Sequence, residues 1–369
     1  MFVNPFLMLT RLVVNKKTND GYKKMPKSRR GGNLVVVVVV CSRNAQRMAS
    51  LSLCLYLLVA TCGQVQALSS RSSSSSSSTT RPQRQLGLLS FDLDDTLFPT
   101  TAVVDAGNAA MLHHMKELGC DTDVTQFLAT TRRIRQALDD APITYTELRK
   151  RTIRAELERA TALPATSSQA AVDDCFEVWL HQRNAAAGQT LFPHTVTALQ
   201  QVQQDFPSAC IAAITNGRGN PLDIEPLEPF FDFCVSGEDD GVFPARKPHK
   251  GIYEHAMNVY RQTCSDHDLE SSHVWIHVGD CLGNDVGASA ACGAKAVWFA
   301  PEQQQPPKDQ DEQRQPSWST ASAQDLQERS QRAKEAQKHV AVRIASLAEL
   351  PAAIEQVLQE VAVTSSLRR

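Results

Sequence analysis

A pair of aspartates directly after a short apolar segment is the first feature of the sequence that could do chemistry. Asp92 and Asp94 lie in the run Phe-Asp-Leu-Asp-Asp-Thr-Leu, which follows the largely apolar residues 86–90. Side chains two residues apart on a strand point to the same face, so both carboxylates would stand together at the carboxyl end of a strand. Clustered negative charges need a proton or a cation, and a divalent cation that prefers oxygen ligands meets this need. An acidic turn without function is the alternative, because Asp-x-Asp-x-Thr arises by chance in roughly one chain of this length in fifteen.

Two later segments carry groups that suit a phosphate. Thr215 and Asn216 end an apolar stretch and precede a glycine, so a hydroxyl, an amide and backbone N–H groups are available to phosphate oxygens. Lys247 stands just before Pro248, which can open a helix, and its ammonium group can neutralise a transferring phosphoryl group. Taken singly, an Asn-Gly turn is ordinary and a lone lysine is usually solvated. Each assignment therefore depends on the other motifs.

A second acidic pair follows the apolar stretch 274–278. Asp280 ends this predicted strand, and open parallel sheets bind their ligands beyond the carboxyl ends of strands. Asp285 opens the next predicted helix, where it could bind a metal ion or could stabilise the helix N-terminus. We expect these acids and the first pair to converge in one pocket.

The segments between these motifs indicate an α/β fold with a parallel sheet, because short apolar runs alternate with longer amphipathic stretches. Strands are predicted at 88–93, 210–215, 233–236, 274–279 and 295–299, and the chain returns with 340–344 and a closing helix at 351–361. Between the first two strands, helices are predicted at 105–118, 124–138, 144–160 and 172–184. Such a strand-poor insertion predicts a helical cap.

The charges of the chain are unevenly distributed. Residues 1–91 hold thirteen of the 38 lysines and arginines but only Asp20 among the 40 acids, which leaves a net charge of about −14 on the remainder. Nucleic-acid binding depends largely on cationic side chains, so we predict no nucleic-acid partner.

The first part of the chain resembles a targeting sequence. The apolar run 51–60 precedes Val-Gln-Ala, a pattern typical of a signal-peptidase site, and a Ser- and Arg-rich, acid-free stretch typical of transit peptides follows. We predict a plastid address, with the secretory pathway, a mitochondrion or a membrane anchor as alternatives, and no stable membrane association of the mature form. The predicted boundaries are 1–87 for the presequence and Ser-rich linker, 88–100 and 191–362 for the core, 101–190 for the cap, and 302–338 for a low-complexity, mobile insertion in the core.

In their order and strand context, the four motifs resemble those of the haloacid dehalogenase superfamily with a C1 cap. The resemblance implies a Rossmann-like, doubly wound parallel sheet and a Mg²⁺ cofactor. It also implies Asp92 as nucleophile and Asp94 as general acid and base. The resemblance further implies phosphate contacts from Thr215, Asn216 and Lys247, and a metal site formed by Asp92, Asp94 through its carbonyl, Asp280 and Asp285. Because a halide leaving group needs no proton and the dehalogenases lack the second aspartate of the first motif, Asp94 favours phosphatase chemistry.

Several segments resemble the bacterial flavin mononucleotide phosphatase branch, notably 213–217, 230–233, 247–248 and 277–280. That resemblance implies a small phosphomonoester substrate, either flavin mononucleotide or 5-amino-6-(5-phospho-D-ribitylamino)uracil. A phosphatase of a nucleotide or sugar phosphate, a phosphomutase and an inactive binding protein are the alternatives. In the cap, an anionic substrate could meet any of five arginines that could instead lie on a solvated face, namely Arg132, Arg133, Arg135, Arg149 and Arg151. Tyr145 and Trp179 could stack on a flavin or pack in the cap core.

Overall fold

A parallel sheet lies at the centre of the part of the chain that the structure describes. The computed structural model describes residues 85–139, 141–160, 168–264, 273–301 and 323–367, so the predicted targeting segments lie outside the described residues. The strands are β1 Gln85–Phe91, β2 Cys210–Thr215, β3 Phe233–Ser236, β4 His273–Gly279, β5 Lys295–Phe299 and β6 Val340–Ile344. Their order across the sheet is β3-β2-β1-β4-β5-β6, and all neighbouring pairs are parallel. The predicted α/β fold with a Rossmann-like parallel core is confirmed.

Helices separate and follow the strands. They are α1 Thr100–Glu117, α2 Val124–Ala137, α3 Tyr145–Ala160, α4 Gln169–Gln189, α5 Thr195–Asp205, α6 Lys250–Thr263, α7 Ala288–Ala291, α8 Ala323–Ala336 and α9 Leu350–Leu367. A π-helical turn covers Leu282–Gly287. Side-chain caps fix two starts in the predicted cap, since Asp123 accepts a hydrogen bond from the backbone of Gln126 and Ser168 accepts one from Ala171. Within the described residues, no helix has the length and apolar character needed to cross a membrane.

Both faces of the sheet are covered by helices. Successive residues of β1 point to opposite faces, so Leu89 packs in one cluster with Leu199 of α5 and Ile354 of α9. Leu88 packs on the other face with Tyr253 of α6. Burial on both faces explains why the strands read as nearly continuous apolar runs.

Helices α1 to α4 form a small core of their own. Its buried residues include Met111, Phe127, Ile153, Phe176 and Trp179, one or more from each helix. The four helices lie where the sequence predicts the cap. The division into a cap domain at 101–190 and a core domain stays a prediction.

The first strand and helix differ from their predicted bounds. The strand predicted at 88–93 is β1, and it ends at Phe91 because the carbonyl of Leu93 accepts hydrogen bonds from the backbones of Thr96 and Leu97 in a turn. Helix α1 begins at Thr100 rather than at 105, because the Thr100 N–H donates to Asp95 Oδ1 at 2.9 Å.

Two later predictions also need correction. Pro248 does not open a helix: α6 begins at Lys250, and the side chain of His249 caps it by accepting from the Gly251 N–H. The segment 302–338 was predicted as a mobile excursion, but its described part contains α8. That helix packs against the π-helical turn, where a Cβ atom at Gly287 would lie 2.8 Å from the Cβ of Ala336.

Candidate active site

The predicted nucleophile, Asp92, lies at the carboxyl end of the central strand. Its backbone N–H donates to the carbonyl of Val278 in β4 at 2.9 Å, which extends the pairing one residue beyond β1. The residue is 8% exposed. Because β1 lies between β2 and β4, the ends of these strands flank Asp92, and this is where α/β proteins place their ligands.

Lys247 binds Asp92 directly. Its Nζ donates to Asp92 Oδ1 at 2.6 Å and to Asp285 Oδ1 at 2.8 Å. The backbone of Lys247 is held in turn by Asn216, because the Lys247 N–H donates to Asn216 Oδ1 at 2.7 Å and Asn216 Nδ2 donates to the Lys247 carbonyl at 2.9 Å. Asn216 was predicted as a phosphate ligand. Its amide oxygen and its amide nitrogen instead form hydrogen bonds with the backbone of Lys247 and position that residue. A contact between Asn216 and a phosphate stays a prediction.

Three carboxylates meet beside this lysine. Asp92, Asp280 and Asp285 each offer one oxygen, and these oxygens lie within 4.8 Å of one another. Asp285 also accepts a hydrogen bond from the backbone of Cys281 through Oδ2 at 3.0 Å. The close approach requires glycine at position 279, because a Cβ atom there would lie 2.4 Å from the Cβ of Asp285. The sequence left two roles open for Asp285, and its geometry suits a shared cation.

Burial and charge act together on these groups. Burial raises the pKa of Asp92 to about 7, although Lys247 opposes the shift. Burial also raises the pKa of Asp280 well above its ordinary range, and Asp285 and Asp92 add to this effect. For Asp285, burial opposes ionisation, but Lys247 and His277 together outweigh it and lower the pKa to about 2. Burial disfavours the charge of Lys247, yet Asp285 and Asp92 raise its pKa. One ammonium group therefore offsets only part of the negative charge.

A buried hydrogen-bond network lies beneath Asp285. Trp275 Nε1 donates to Ser90 Oγ at 2.8 Å, and Ser90 Oγ lies 2.8 Å from His277 Nδ1. The other ring nitrogen of His277 is 3.6 Å from Asp285 Oδ1. Burial lowers the pKa of His277. No sequence motif marks this network, because it joins residues on two strands that only the folded sheet brings together.

Asp94 pairs with an arginine that no sequence motif marks. Arg183 Nη2 donates to Asp94 Oδ1 at 2.6 Å. Arg183 lies in α4, in the predicted cap, and is 3% exposed. The one available signal was an arginine in the Ala-rich end of a helix that leads back to the core.

Thr215 and the cap residues complete the predicted set. Thr215 ends β2 and is fully buried, and its Oγ1 accepts from the Gly217 N–H at 3.3 Å. Arg149 Nη1 donates to Asn108 Oδ1 at 2.7 Å, and the Arg149 guanidinium lies 4.0 Å from the ring centre of Trp179. Trp179 packs in the cap core, stacked against Phe176, whereas Tyr145 is 47% exposed. The structure thus favours a core role for Trp179 over flavin stacking.

Comparison with known proteins places the fold and the motifs in one family. A profile of the haloacid dehalogenase-like hydrolases matches residues 87–293, which is more than half of the chain. The chain is 25% identical over 228 residues to 5-amino-6-(5-phospho-D-ribitylamino)uracil phosphatase YigB of Escherichia coli (strain K12), covering 60% of this chain and 87% of that protein. It is also 25% identical over 224 residues to ribulose-1,5-bisphosphate 5-phosphatase of Halopiger xanaduensis (strain DSM 18323 / JCM 14033 / SH-6), covering 58% and 84% respectively.

A solved structure shares the fold. The 2-haloacid dehalogenase from Pseudomonas syringae pv. Tomato DC3000 superimposes with a TM-score of 0.52 at 23% identity, covering 74% of this chain and 99% of that one. Together with the matching profile, the parallel sheet and the motifs at its strand ends lead to one conclusion: the chain belongs to the haloacid dehalogenase-like hydrolases.

Proposed function

We propose that this protein is a magnesium-dependent phosphomonoesterase with Asp92 as its nucleophile. The observation that carries the proposal is the position of Asp92, which accepts a hydrogen bond from Lys247 and lies in a cluster with Asp280 and Asp285. A carboxylate beside a fixed ammonium group and a cation site is suited to attack a phosphoryl group. Two relatives with phosphatase names support the reaction class.

The acidic cluster fits Mg²⁺. All of its donors are carboxylate oxygens, the ligands that hard divalent cations prefer, and one oxygen from each residue lies within 4.8 Å of the others. Asp92, Asp280 and Asp285 would hold the ion, together with the main-chain carbonyl of Asp94. When bound, Mg²⁺ would polarise the phosphoryl oxygens and offset charge in the transition state.

In the first chemical step, a carboxylate oxygen of Asp92 attacks phosphorus in line with the ester oxygen. The bond between phosphorus and that oxygen breaks, and the phosphoryl group is transferred to Asp92. Asp94, in its protonated form, gives its proton to the departing alkoxide. Lys247 is already within hydrogen-bond distance of Asp92, so it can stabilise the charge on the phosphoryl oxygens.

In the second step, water attacks phosphorus of the aspartyl-phosphate. Asp94, now a carboxylate, takes a proton from this water, and Asp92 is released together with inorganic phosphate. The same side chain therefore serves as acid and then as base. Asp94 suits this role because its side chain is 29% exposed and remains accessible beside the buried nucleophile.

The second aspartate also distinguishes this reaction from dehalogenation. A halide departs without a proton, whereas an alkoxide needs one. The dehalogenase of similar structure shares 23% of its residues with this chain, and that likeness concerns the fold alone. Asp94 therefore favours phosphoryl transfer.

For the substrate, we propose flavin mononucleotide or 5-amino-6-(5-phospho-D-ribitylamino)uracil. The name of the Escherichia coli relative and the motif segments shared with the flavin mononucleotide phosphatases support this choice. The name of the Halopiger relative supports the alternative of a sugar phosphate. Nucleotides, and a phosphomutase that returns the phosphoryl group to a sugar, are the remaining alternatives.

A panel of phosphate esters would test the proposal. Purified protein with Mg²⁺ should release inorganic phosphate from one of the two proposed substrates faster than from ribulose-1,5-bisphosphate, nucleoside monophosphates and hexose phosphates. Asp92→Asn and chelation by EDTA should each abolish release. Asp205→Asn, a change in a hydrogen-bonded surface aspartate of α5, should not affect it.

The outcomes separate the alternatives. Equal, slow turnover of all esters would reject the flavin-related substrates, and isomerised sugar phosphate without free phosphate would indicate a phosphomutase. No phosphate release from any ester, by protein that circular dichroism shows to be folded, would reject the phosphatase itself.

A further inference from the structure

Asp94 is held by an arginine from the helical part of the chain. Arg183 lies in the last two turns of α4 and donates from Nη2 to Asp94 Oδ1 at 2.6 Å. The Arg183 side chain is 4% exposed, whereas the Asp94 side chain is 29% exposed. The cation is therefore buried, while the carboxylate keeps an accessible edge.

The surroundings of Arg183 show that this contact is built into the fold. A Cβ atom at Gly219, in the loop after β2, would lie 2.7 Å from Arg183 Nη1, so glycine leaves the space that the guanidinium fills. The ring centre of Phe98 lies 5.6 Å from the guanidinium carbon. Among the described residues, Asp94 is the acid within ion-pair distance of Arg183. A buried guanidinium depends strongly on such a partner, unlike a surface pair.

The contact distinguishes the two oxygens of Asp94. Oδ1 is held by Arg183, whereas Oδ2 lies 3.6 Å from the position that a Cβ atom would take at Gly217, on the loop predicted to meet the phosphate. An acceptor oxygen can keep this hydrogen bond in both protonation states, because it is a carboxylate oxygen in one and the carbonyl oxygen of the acid in the other.

We propose that Arg183 is a positioning residue that fixes Oδ1 of Asp94 and leaves Oδ2 to give and take the proton. The inference rests on the proposed function, in which Asp94 protonates the leaving group. It adds a link to the cap, because Arg183 lies one helical turn after Trp179, a residue of the cap core. Proton transfer by Asp94 then depends on the position of α4, the helix that carries Arg183.

Leaving groups with different proton requirements provide the test. p-Nitrophenyl phosphate releases a stable anion, whereas the best alkyl phosphate of the panel above needs a proton on its leaving oxygen. The ratio kcat/KM reports the steps up to formation of the aspartyl-phosphate and excludes its hydrolysis. For Arg183→Gln, we expect kcat/KM to fall roughly 10- to 1,000-fold for the alkyl ester and less than about threefold for the aryl ester.

Matched variants separate positioning from general damage. Arg183→Lys should restore part of the alkyl-ester activity, and Asp94→Asn should show the same selective loss as Arg183→Gln. Adding Arg183→Gln to Asp94→Asn should cause no further loss. Lys116→Ala removes a cap lysine that pairs with Asp121 on the surface, and it should change the hydrolysis of neither ester.

Equal losses for both esters, an increase in alkyl-ester turnover, or a further loss in the Asp94→Asn background would each overturn the inference. The Arg183→Lys variant keeps the test decisive if Arg183→Gln does not fold, because it retains the charge but not the planar fork. Failure of the wild type to hydrolyse either ester would instead reject the proposed function, and the inference with it. Hydrolysis of both esters by the wild type, with equal losses in the variant, would reject the inference alone.

Discussion

Replacing Lys247 by methionine would remove the cation between two buried carboxylates. In the wild type, Nζ lies 2.6 Å from Asp92 Oδ1 and 2.8 Å from Asp285 Oδ1, and all three residues are less than 9% exposed. Removing one member of a buried ion pair typically costs about 3–5 kcal/mol, because the partner is left charged and desolvated. We expect the free energy of unfolding of Lys247→Met to fall by this amount near pH 8 without magnesium.

The loss should shrink at lower pH. The pKa of Asp285 is lowered from 3.8 to about 2, so its stabilising contribution is present above pH 3.8 and is lost as the pH falls towards 2. That contribution depends first on Lys247 and then on His277. Without Lys247, less opposes the effect of burial, so the pKa of Asp285 should rise and the stabilisation from its ionised form should shrink. The pKa of Asp92 is already raised to about 7 in the wild type. Its ionisation therefore lowers the stability of the folded protein as the pH rises from 3.8 to 7. The difference between wild type and variant should therefore grow from about pH 5 to about pH 8.

Urea unfolding in EDTA at several pH values would measure this difference. Lys250→Met is the matched control, because Lys250 lies three residues away and its pair with Glu254 is exposed, with side-chain exposures of 70% and 57%. That change should cost less than about 0.5 kcal/mol at every pH. A loss in Lys247→Met as small as in the control at pH 8, or a large loss that is the same at all pH values, would refute the reasoning.

The other predictions concern positioning, packing and targeting. Asn216→Ala removes both side-chain bonds to the Lys247 backbone, so kcat of the phosphatase should fall by roughly 10- to 100-fold while the circular dichroism spectrum is unchanged. Unchanged kcat would show that Lys247 is held by other contacts. Gly279→Ala would place a Cβ atom 2.4 Å from that of Asp285, so urea unfolding should show a loss of about 1–3 kcal/mol. Wild-type stability would show that the turn can shift. Residues 1–87 fused to a fluorescent protein should carry it into a plastid, and secretion of the fusion would contradict the predicted address.

The convergence of the acidic motifs was predictable from local pattern. Asp92 and Asp280 each follow an apolar run short enough for a strand, and the carboxyl ends of parallel strands share one edge of the sheet. The sheet order places β4 directly beside β1, which brings the two residues together. Period and strand polarity are local properties, so the sequence contains this information.

The supporting contacts were not predictable in the same way. Asn216 was predicted to contact phosphate because its amide could do so. Its two hydrogen bonds to the Lys247 backbone depend on how two loops, distant in the sequence, meet in the fold. Arg183 reaches Asp94 across 89 positions of the chain, from a helix whose seating is set by tertiary packing. The predicted start of α6 at Pro248 was wrong for a local reason. The side chain of His249 caps the helix, so the helix begins at Lys250.

Charge balance links these contacts to the proposed chemistry. The groups to which the proposed reaction gives a role comprise four acids and two bases, so their formal charge is −2 when all are ionised; the acids are Asp92, Asp94, Asp280 and Asp285, and the bases are Lys247 and Arg183. A divalent cation would balance this charge, whereas a phosphate dianion brings two further negative charges. Protonation of Asp94 for leaving-group departure removes the negative charge of that carboxylate and leaves the phosphate charges unchanged. The two bases act on different acids, because Lys247 bonds Asp92 and Asp285 while Arg183 bonds Asp94. Neutralisation of the nucleophile and orientation of the proton donor are therefore separate tasks, and substitutions at the two bases should differ in their dependence on the leaving group.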